Sequence, residues 1–547
     1  MKLRSTEVDG VPVLWAPGQG TLRASLWFRA GMVDETMPTR GWLHLLEHLA
    51  LHGRDSIRTP VNGHVSLLHT SFDVTGEPED VVAFLRDVCR WVGAPDLSEL
   101  EHERRVLRAE GSGRGFGEVS GHLLWRYGAR GPGLVGDDEF GLYTADEDRL
   151  RELAGRAFAQ GNAVLALSGP PPAGLALPLP PGPRLPTPVA VPCDQPQQAG
   201  IAGRPNKFAL SGTLERSYGA TALQRALERD LQRGLRHDQG VGYSAWSSYE
   251  MIDAHHALVT AGMDVVPEAV PVVVAEATAV VRRLRDRGPD PTELRDDLAL
   301  HIRRMSEEPA ERWLPFLAAS DTLLDRPASM SVDEVAAEID ATTVADVQRA
   351  AYDLWTDLLV SVDPDGAGDP QLDWLGAAPA PQGKPSGRSF RSIDSPESND
   401  LLFVSETGAR LQTGSPSEAR YDELAGVLAF EDGGRRLVRQ DGFQVPVEPT
   451  LWRKGREAVA LVDAAVPEGL RIPLPARSPE QIPWKRVRRI DNFRNWVQAP
   501  KVWVPALWVC VVLPGVVALS LPGFITKILL VGSAVGVINF VRQQRGQ

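Results

Sequence analysis

Cysteine is scarce in this chain. Cys89, Cys193 and Cys510 are the only three in 547 residues, an odd number with no metal-ligand spacing. That excludes a disulfide framework and leaves sulfur out of any metal site. Basic charge is in deficit as well: 58 Lys and Arg stand against 71 Asp and Glu, a formal net charge of -13. A phosphate backbone attracts a basic surface, so nucleic acid is excluded as the main partner. No glycine-rich phosphate loop follows a strand in the required form, and no nucleophilic Ser or Cys arrangement is evident. The N-terminus, MKLRSTEVDGVPVLW, has no apolar run of signal-peptide length and no small-residue cleavage site. The folded part is therefore expected in the cytoplasm, or at least made without export.

What is present is enough apolar residue, 43% of 547, to fill several cores. A chain this long predicts three or four domains. Residues 1–169 read as an α/β unit. Leu22, Ala24, Leu26 and Phe28 alternate with polar or amphipathic neighbours, the period of a half-buried strand. Helices are expected over 41–51, 78–93 and 98–110, and strands over 65–75 and 162–168. Residues 170–199 are dense in proline and read as a semi-rigid linker. The unit at 200–363 repeats the general order of the first: strand, helix, strand, helices and a final strand, which points to a diverged duplication. A second linker is expected at 364–396, then a small β-rich unit at 397–475 with strands LLFV and AVALVD. Residues 476–501 form a basic juxtamembrane segment.

The tail is apolar. Val502 to Thr526 is uncharged over 25 residues, and 14 more uncharged residues follow Lys527. A single helix over 502–541 would run roughly 60 Å, against a hydrocarbon core of about 30 Å. Two readings stand: a hairpin turning at Leu521-Pro522-Gly523, or one span followed by an interfacial helix. Basic residues flank both ends (Lys485, Arg486, Arg488, Arg489 and Lys501; Arg542 and Arg545), so the positive-inside rule favours the hairpin with both ends in the cytoplasm. The expected location is a membrane, with the folded domains facing the cytoplasm.

The chemistry sits in HLLEH, residues 44–48. On a helix, positions i, i+3 and i+4 share a face. His44 and His48 then point at one metal from successive turns, with Glu47 beside them. Two imidazoles, a carboxylate and a water make a catalytic zinc shell, and a free carboxylate supplies the general base. The plain alternative is a polar patch on a surface helix. It leaves Leu43, Leu45, Leu46 and Leu49 to be explained, because they bury the imidazoles and a carboxylate that needs a partner. A third ligand is sought in HERRVLRAEG, where Glu103 and Glu110 stand seven apart, two helical turns. One of them ligates the metal and the other holds a histidine, unless both are simply solvated acids among arginines. A structural zinc site closed by His52 or His69 is a further alternative.

GWLHLLEH at 41–48 resembles the Gly-x-x-His-x-x-Glu-His motif of the pitrilysin/insulinase peptidases, which carry the inverted zinc motif. Gly31 and Glu35 also sit where that family has Gly and an acidic residue. Glu103, Val106 and Glu110 match its Glu-x-x-Val-x-x-x-Glu helix. The resemblance implies Glu110 as third zinc ligand, Glu103 as supporting acid and Glu47 as base. Asn62 resembles an asparagine near the family's edge strand. With Ser66 it is a candidate substrate contact on Val65–Val74, where substrate backbone would add. RHDQGVGYS at 236–244 is similar to the family's Arg-x-x-x-Gly-Leu-x-Tyr segment, which implies that Arg236 and Tyr243 help hold substrate and oxyanion. The interval from His48 to Glu110, 62 residues, is shorter than the family shows.

The implied fold is α+β: two related α/β-sandwich peptidase domains with mixed or antiparallel sheets flanked by helices, a small mostly-β domain, possibly pleckstrin-homology-like, and a C-terminal transmembrane region. The implied function is a zinc metalloendopeptidase acting on peptides or flexible protein segments. Its expected partners are a peptide substrate, a second copy or homologous subunit, and the membrane. The alternative is a non-catalytic scaffold or partner subunit that has kept the fold.

Overall fold

The computed structural model describes residues 1–483 apart from 19, 55–58, 114–116, 195–197, 363–372, 376–379 and 394–399. The tract at 502–541 that was expected to enter a membrane lies outside these residues. Among the described residues no helix is long and apolar enough to cross a membrane.

The first unit runs β1 (Arg4–Val8), β2 (Val11–Trp15), β3 (Leu22–Phe28), α1 (Trp42–Leu51), β4 (Val61–Val65) and β5 (Thr70–Gly76). It continues with α2 (Pro78–Gly93), α3 (Leu100–Gly113), α4 (Glu118–Tyr127), α5 (Glu147–Ala157) and β6 (Ala163–Leu167). The sheet order is β1-β2-β6-β3-β5-β4, so β4 is an outer strand. Only β2 and β6 run parallel. The stretch 65–75, expected as one strand, is the end of β4, a turn, and β5. Ser66 makes the turn: its hydroxyl accepts from the amides of Leu68 and His69. Leu67 and Leu68 are buried in that turn, which is why an apolar run there reads as strand.

The second unit runs β7 (Ala199–Ala202), β8 (Lys207–Glu215), α6 (Tyr218–Leu231), β9 (Gly242–Met251), β10 (His256–Val265), α7 (Val270–Arg287) and α8 (Pro291–Glu307). It ends with α9 (Leu314–Leu323), α10 (Val332–Asp340), α11 (Val344–Thr356) and β11 (Leu359–Val362). A short β12 (Asp373–Leu375) then joins the sheet, whose order is β12-β7-β11-β8-β10-β9. Part of the expected linker at 364–396 therefore belongs to this sheet.

Each unit lends a helix to the other. The face of β6 that carries Val164 and Ala166 shares a core with Leu314, Ala318 and Ala319 of α9. The opposite face, Ala163, Leu165 and Leu167, packs on α1 and α2. In return α4 crosses the second sheet. His122 bonds Ser211 at 2.6 Å and Ser361 at 2.8 Å, and the Arg126 guanidinium donates to the carbonyl of Asp357 at 2.7 Å. Burial holds His122 neutral, down to about 3, with the Arg126 charge adding to the effect. Between β6 and β7 the proline-rich stretch is not a free spacer. Its carbonyls at Pro180 and Gly182 accept from Gln160 and Gly161, and Leu177 is buried in the first core.

The third unit holds two four-stranded sheets. One is β13 (Arg388–Arg391), β14 (Leu401–Val404), β15 (Gly408–Gln412) and β16 (Ser417–Arg420). The other is β17 (Leu424–Phe430), β18 (Arg435–Arg439), β19 (Gln444–Val447) and β20 (Arg471–Leu474). AVALVD is not a strand. It lies in α12 (Gly455–Ala465), where Ala458, Val459 and Val462 are buried at helical spacing. A short apolar run fits either period, and its packing decides.

Candidate metal centre

The helix that carries His44 and His48 is held at its start by a buried acid. Glu35 accepts from the amides of Gly41 at 3.0 Å and Leu43 at 2.9 Å, and from Arg40 at 3.1 Å. It satisfies two of the unpaired N–H groups of α1 and places a negative charge at the positive end of the dipole. Burial pushes the Glu35 carboxyl up; Arg40 and the two amides oppose this. Gly41 has φ +95°, and a side chain there would strike Glu139. Leu43, Leu45, Leu46 and Leu49 are buried, each contributing about 1.5–3 kcal/mol. Their burial fixes the orientation of the polar face between them.

On that face the two imidazole rings stand 4.8 Å apart and edge to face. Each has its Nδ1 on a carboxylate: His44 on Glu139 at 2.9 Å, His48 on Glu103 at 3.0 Å. A carboxylate accepts, so Nδ1 carries the proton and Nε2 keeps its lone pair in the neutral ring. The Nε2 atoms lie 4.0 Å and 3.9 Å from Glu47 Oε2, and that of His48 lies 3.8 Å from Glu110 Oε1. His44, Glu47 and His48 offer donor atoms within 4.8 Å of one another. Two lone pairs converging on Glu47, that of His48 also near Glu110, with the far side of each ring fixed by a further acid, match the donor set of a carboxylate–histidine–zinc site. The residues fit zinc.

Glu103 is buried on α3. Burial works against its charge, but hydrogen bonds from His52 and His48 outweigh it and hold the carboxyl below its ordinary range. Glu139 was not anticipated from the sequence. It sits 95 residues from His44 with no motif around it. Its segment is packed by the third unit: Phe140 and Tyr143 lie against the cluster of Leu134, Leu428, Val438 and Leu474. A groove of about 900 Å³ runs between these elements, with Glu139 and Phe430 on its walls.

Glu47 is buried against β4. A Cβ added at Gly63 would lie 1.8 Å from Glu47 Oε1, so this glycine makes room for the carboxylate beside an outer strand. Asn62 and His64 flank Gly63 on β4, and both are exposed. Ser66 is occupied by the turn, and its oxygen is also 2.9 Å from His69 Nδ1. His69 stacks on Trp27 at 4.2 Å. Burial, with His64 and Arg29 nearby, holds it neutral, down to about 3. His52, weighed as a fourth ligand, instead bonds Glu103 at 2.6 Å. Arg236 lies in a π-helical turn at 232–238, its guanidinium 5.5 Å from the Tyr243 ring on β9. Tyr243 is 77% exposed, an uncommon setting for a large aromatic on a strand.

No protein-family model matches the sequence, and no curated protein matches it. Solved structures share its fold, and peptidases and peptidase-like domains of the M16 type are among them. A peptidase M16 inactive domain from Pseudomonas fluorescens superposes with TM-score 0.55 and 16% identity, over 66% of this chain and 98% of that one. A protease from Helicobacter pylori gives 0.54 and 15%, over 66% and 99%. Pitrilysin gives 0.51 and 14%, over 66% of this chain and 46% of its own. The chain thus has the M16 peptidase fold and spans about half the length of pitrilysin.

Proposed function

We propose that this chain is a zinc-dependent endopeptidase acting on peptides or flexible protein segments. The observation that carries the reading is the pairing of both Nδ1 atoms with acids, the buried Glu103 and the half-buried Glu139, which turns both Nε2 lone pairs toward Glu47 and that of His48 also toward Glu110. Zinc held by His44, His48 and Glu110 would act as a Lewis acid, acidifying a water and polarising the scissile carbonyl. Glu47 takes the proton of that water as general base. Glu103 and Glu139 hold the two rings and their tautomers. Substrate backbone adds along β4, beside Gly63 and Asn62, as an extra strand. Arg236 and Tyr243 donate to the substrate and to the developing oxyanion.

The scaffold alternative has a neighbour in its favour, since one matching structure is described as an inactive domain. Against it, this chain keeps His44, Glu47 and His48 of the motif, and Glu110. The partner of this reading is a second copy or a homologous subunit, as the resemblance implies. The apolar tail supports a membrane location, with the catalytic units on the cytoplasmic side.

The test is zinc content and cleavage of a quenched-peptide library by the full-length protein in detergent, beside Glu47→Gln. Activity that chelator removes, zinc restores and Glu47→Gln abolishes with zinc still bound is the expected result. Cleavage that Glu47→Gln leaves intact would sink the assignment.

A further inference from the structure

We propose that His52, His102 and Glu103 form a second, weaker site for zinc or a similar borderline metal, and that filling it turns the catalytic centre down. Donor atoms from these three residues lie within 4.8 Å of one another. His52 closes α1 and His102 lies in the first turn of α3, so the same helix pair that builds the inner cluster brings them together. Their rings stand 5.7 Å apart. His52 Nδ1 is already 2.6 Å from Glu103 Oε1, a separation that a shared cation replaces with little movement. Two imidazoles and a carboxylate suit zinc, copper or nickel and not magnesium or calcium.

The two sites differ in how they are held. Both outer histidines are exposed while Glu103 is buried. Solvent completes the outer coordination, and the exposed rings lose rotamer freedom on binding. The cation must also replace the hydrogen bond between His52 and Glu103. Those costs make the outer site the weaker one.

Glu103 couples them. Its Oε2 is 3.0 Å from His48 Nδ1 and its Oε1 is 2.6 Å from His52. A cation on Oε1 draws charge away from the carboxylate that strengthens His48 as a ligand. Linkage makes the effect mutual: a filled outer site weakens the inner one, and the reverse. This coupling rests on the proposed zinc chemistry; occupancy of the outer site does not. The plain alternative is that His52 only satisfies the second oxygen of Glu103, in which case His102 is irrelevant to metal.

The experiment is equilibrium dialysis of the full-length protein in detergent against rising zinc, with peptide cleavage read in parallel. Wild type, His102→Ala and His44→Ala are compared. Wild type should bind a second zinc more weakly than the first and lose activity as it fills, by at least about fivefold. His102→Ala should keep its activity at low zinc, bind one zinc and escape the inhibition. His44→Ala should still bind the outer zinc, so a failure of the peptidase reading leaves this site measurable. Equal zinc uptake by wild type and His102→Ala overturns the site. A second zinc that leaves cleavage unchanged overturns the coupling.

Discussion

From β2 to β6 in the first unit, and from β7 to β11 in the second, the chain follows one path. Two strands lead to a helix, then a hairpin, then helices, and a returning strand that enters beside the first and parallel to it. The helix at the third step is α1 in one unit and α6 in the other. α1 carries HLLEH; α6 is YGATALQRALERDL, with no histidine. Facing them are β4, five residues long with a glycine opposite Glu47, and β9, ten residues long with Ser247 bonded to Gln224 of α6. The same scaffold therefore carries a donor cluster in one copy and an ordinary polar contact in the other. Fold and donor set are separable here, and the donors sit on α1 and on the elements that meet it.

The sharpest way to break this comparison is at the two helices. Glu47→Gln should lower kcat by about 10²–10⁴-fold with zinc retained, while Gln224→Ala on α6 leaves kcat unchanged. Equal losses in the two would mean that helix packing, not the carboxylate, supports activity. Next come the acids behind the rings. Glu139→Gln and Glu103→Gln should each cost about 10–100-fold in zinc affinity or activity, read by competition with a chelating dye. Removing the Tyr243 hydroxyl as Tyr243→Phe should lower kcat by about tenfold or more and leave the melting temperature in place, because this residue is exposed.

The smallest effect concerns the seam between the copies. The folded protein keeps His122 neutral down to about 3, whereas an unfolded histidine binds its proton near pH 6.5. As pH falls through that window the unfolded state takes up a proton that the folded state refuses, so stability drops. At pH 4.5 the loss is on the order of 2 kcal/mol. Urea unfolding at pH 7 and pH 4.5 should show part of this slope disappear in His122→Gln. An unchanged slope would place the titration elsewhere.

The helices α1 and α2 and the strand β3 were legible because their apolar periods are long and local. AVALVD and residues 65–75 were misread for the opposite reason: short apolar stretches carry no distinct period, and α12 and the Ser66 turn are settled by what packs on them. Glu139 left no trace, since nothing near it in sequence marks a partner 95 residues away. The exchange of α4 and α9 between the sheets was equally invisible, because an amphipathic helix states that it has a partner and not which one.

The sequence by itself determined that His44, Glu47 and His48 share a face, since helical spacing is a local property of five residues. It also placed Glu103 and Glu110 two turns apart on one helix. Only the tertiary structure decided which acid stands behind which ring, that Gly63 receives Glu47, and that His52 and His102 meet around Glu103. These depend on the meeting of α1, α3, β4 and the 137–143 segment, and such long-range contacts are set by packing that no local pattern encodes.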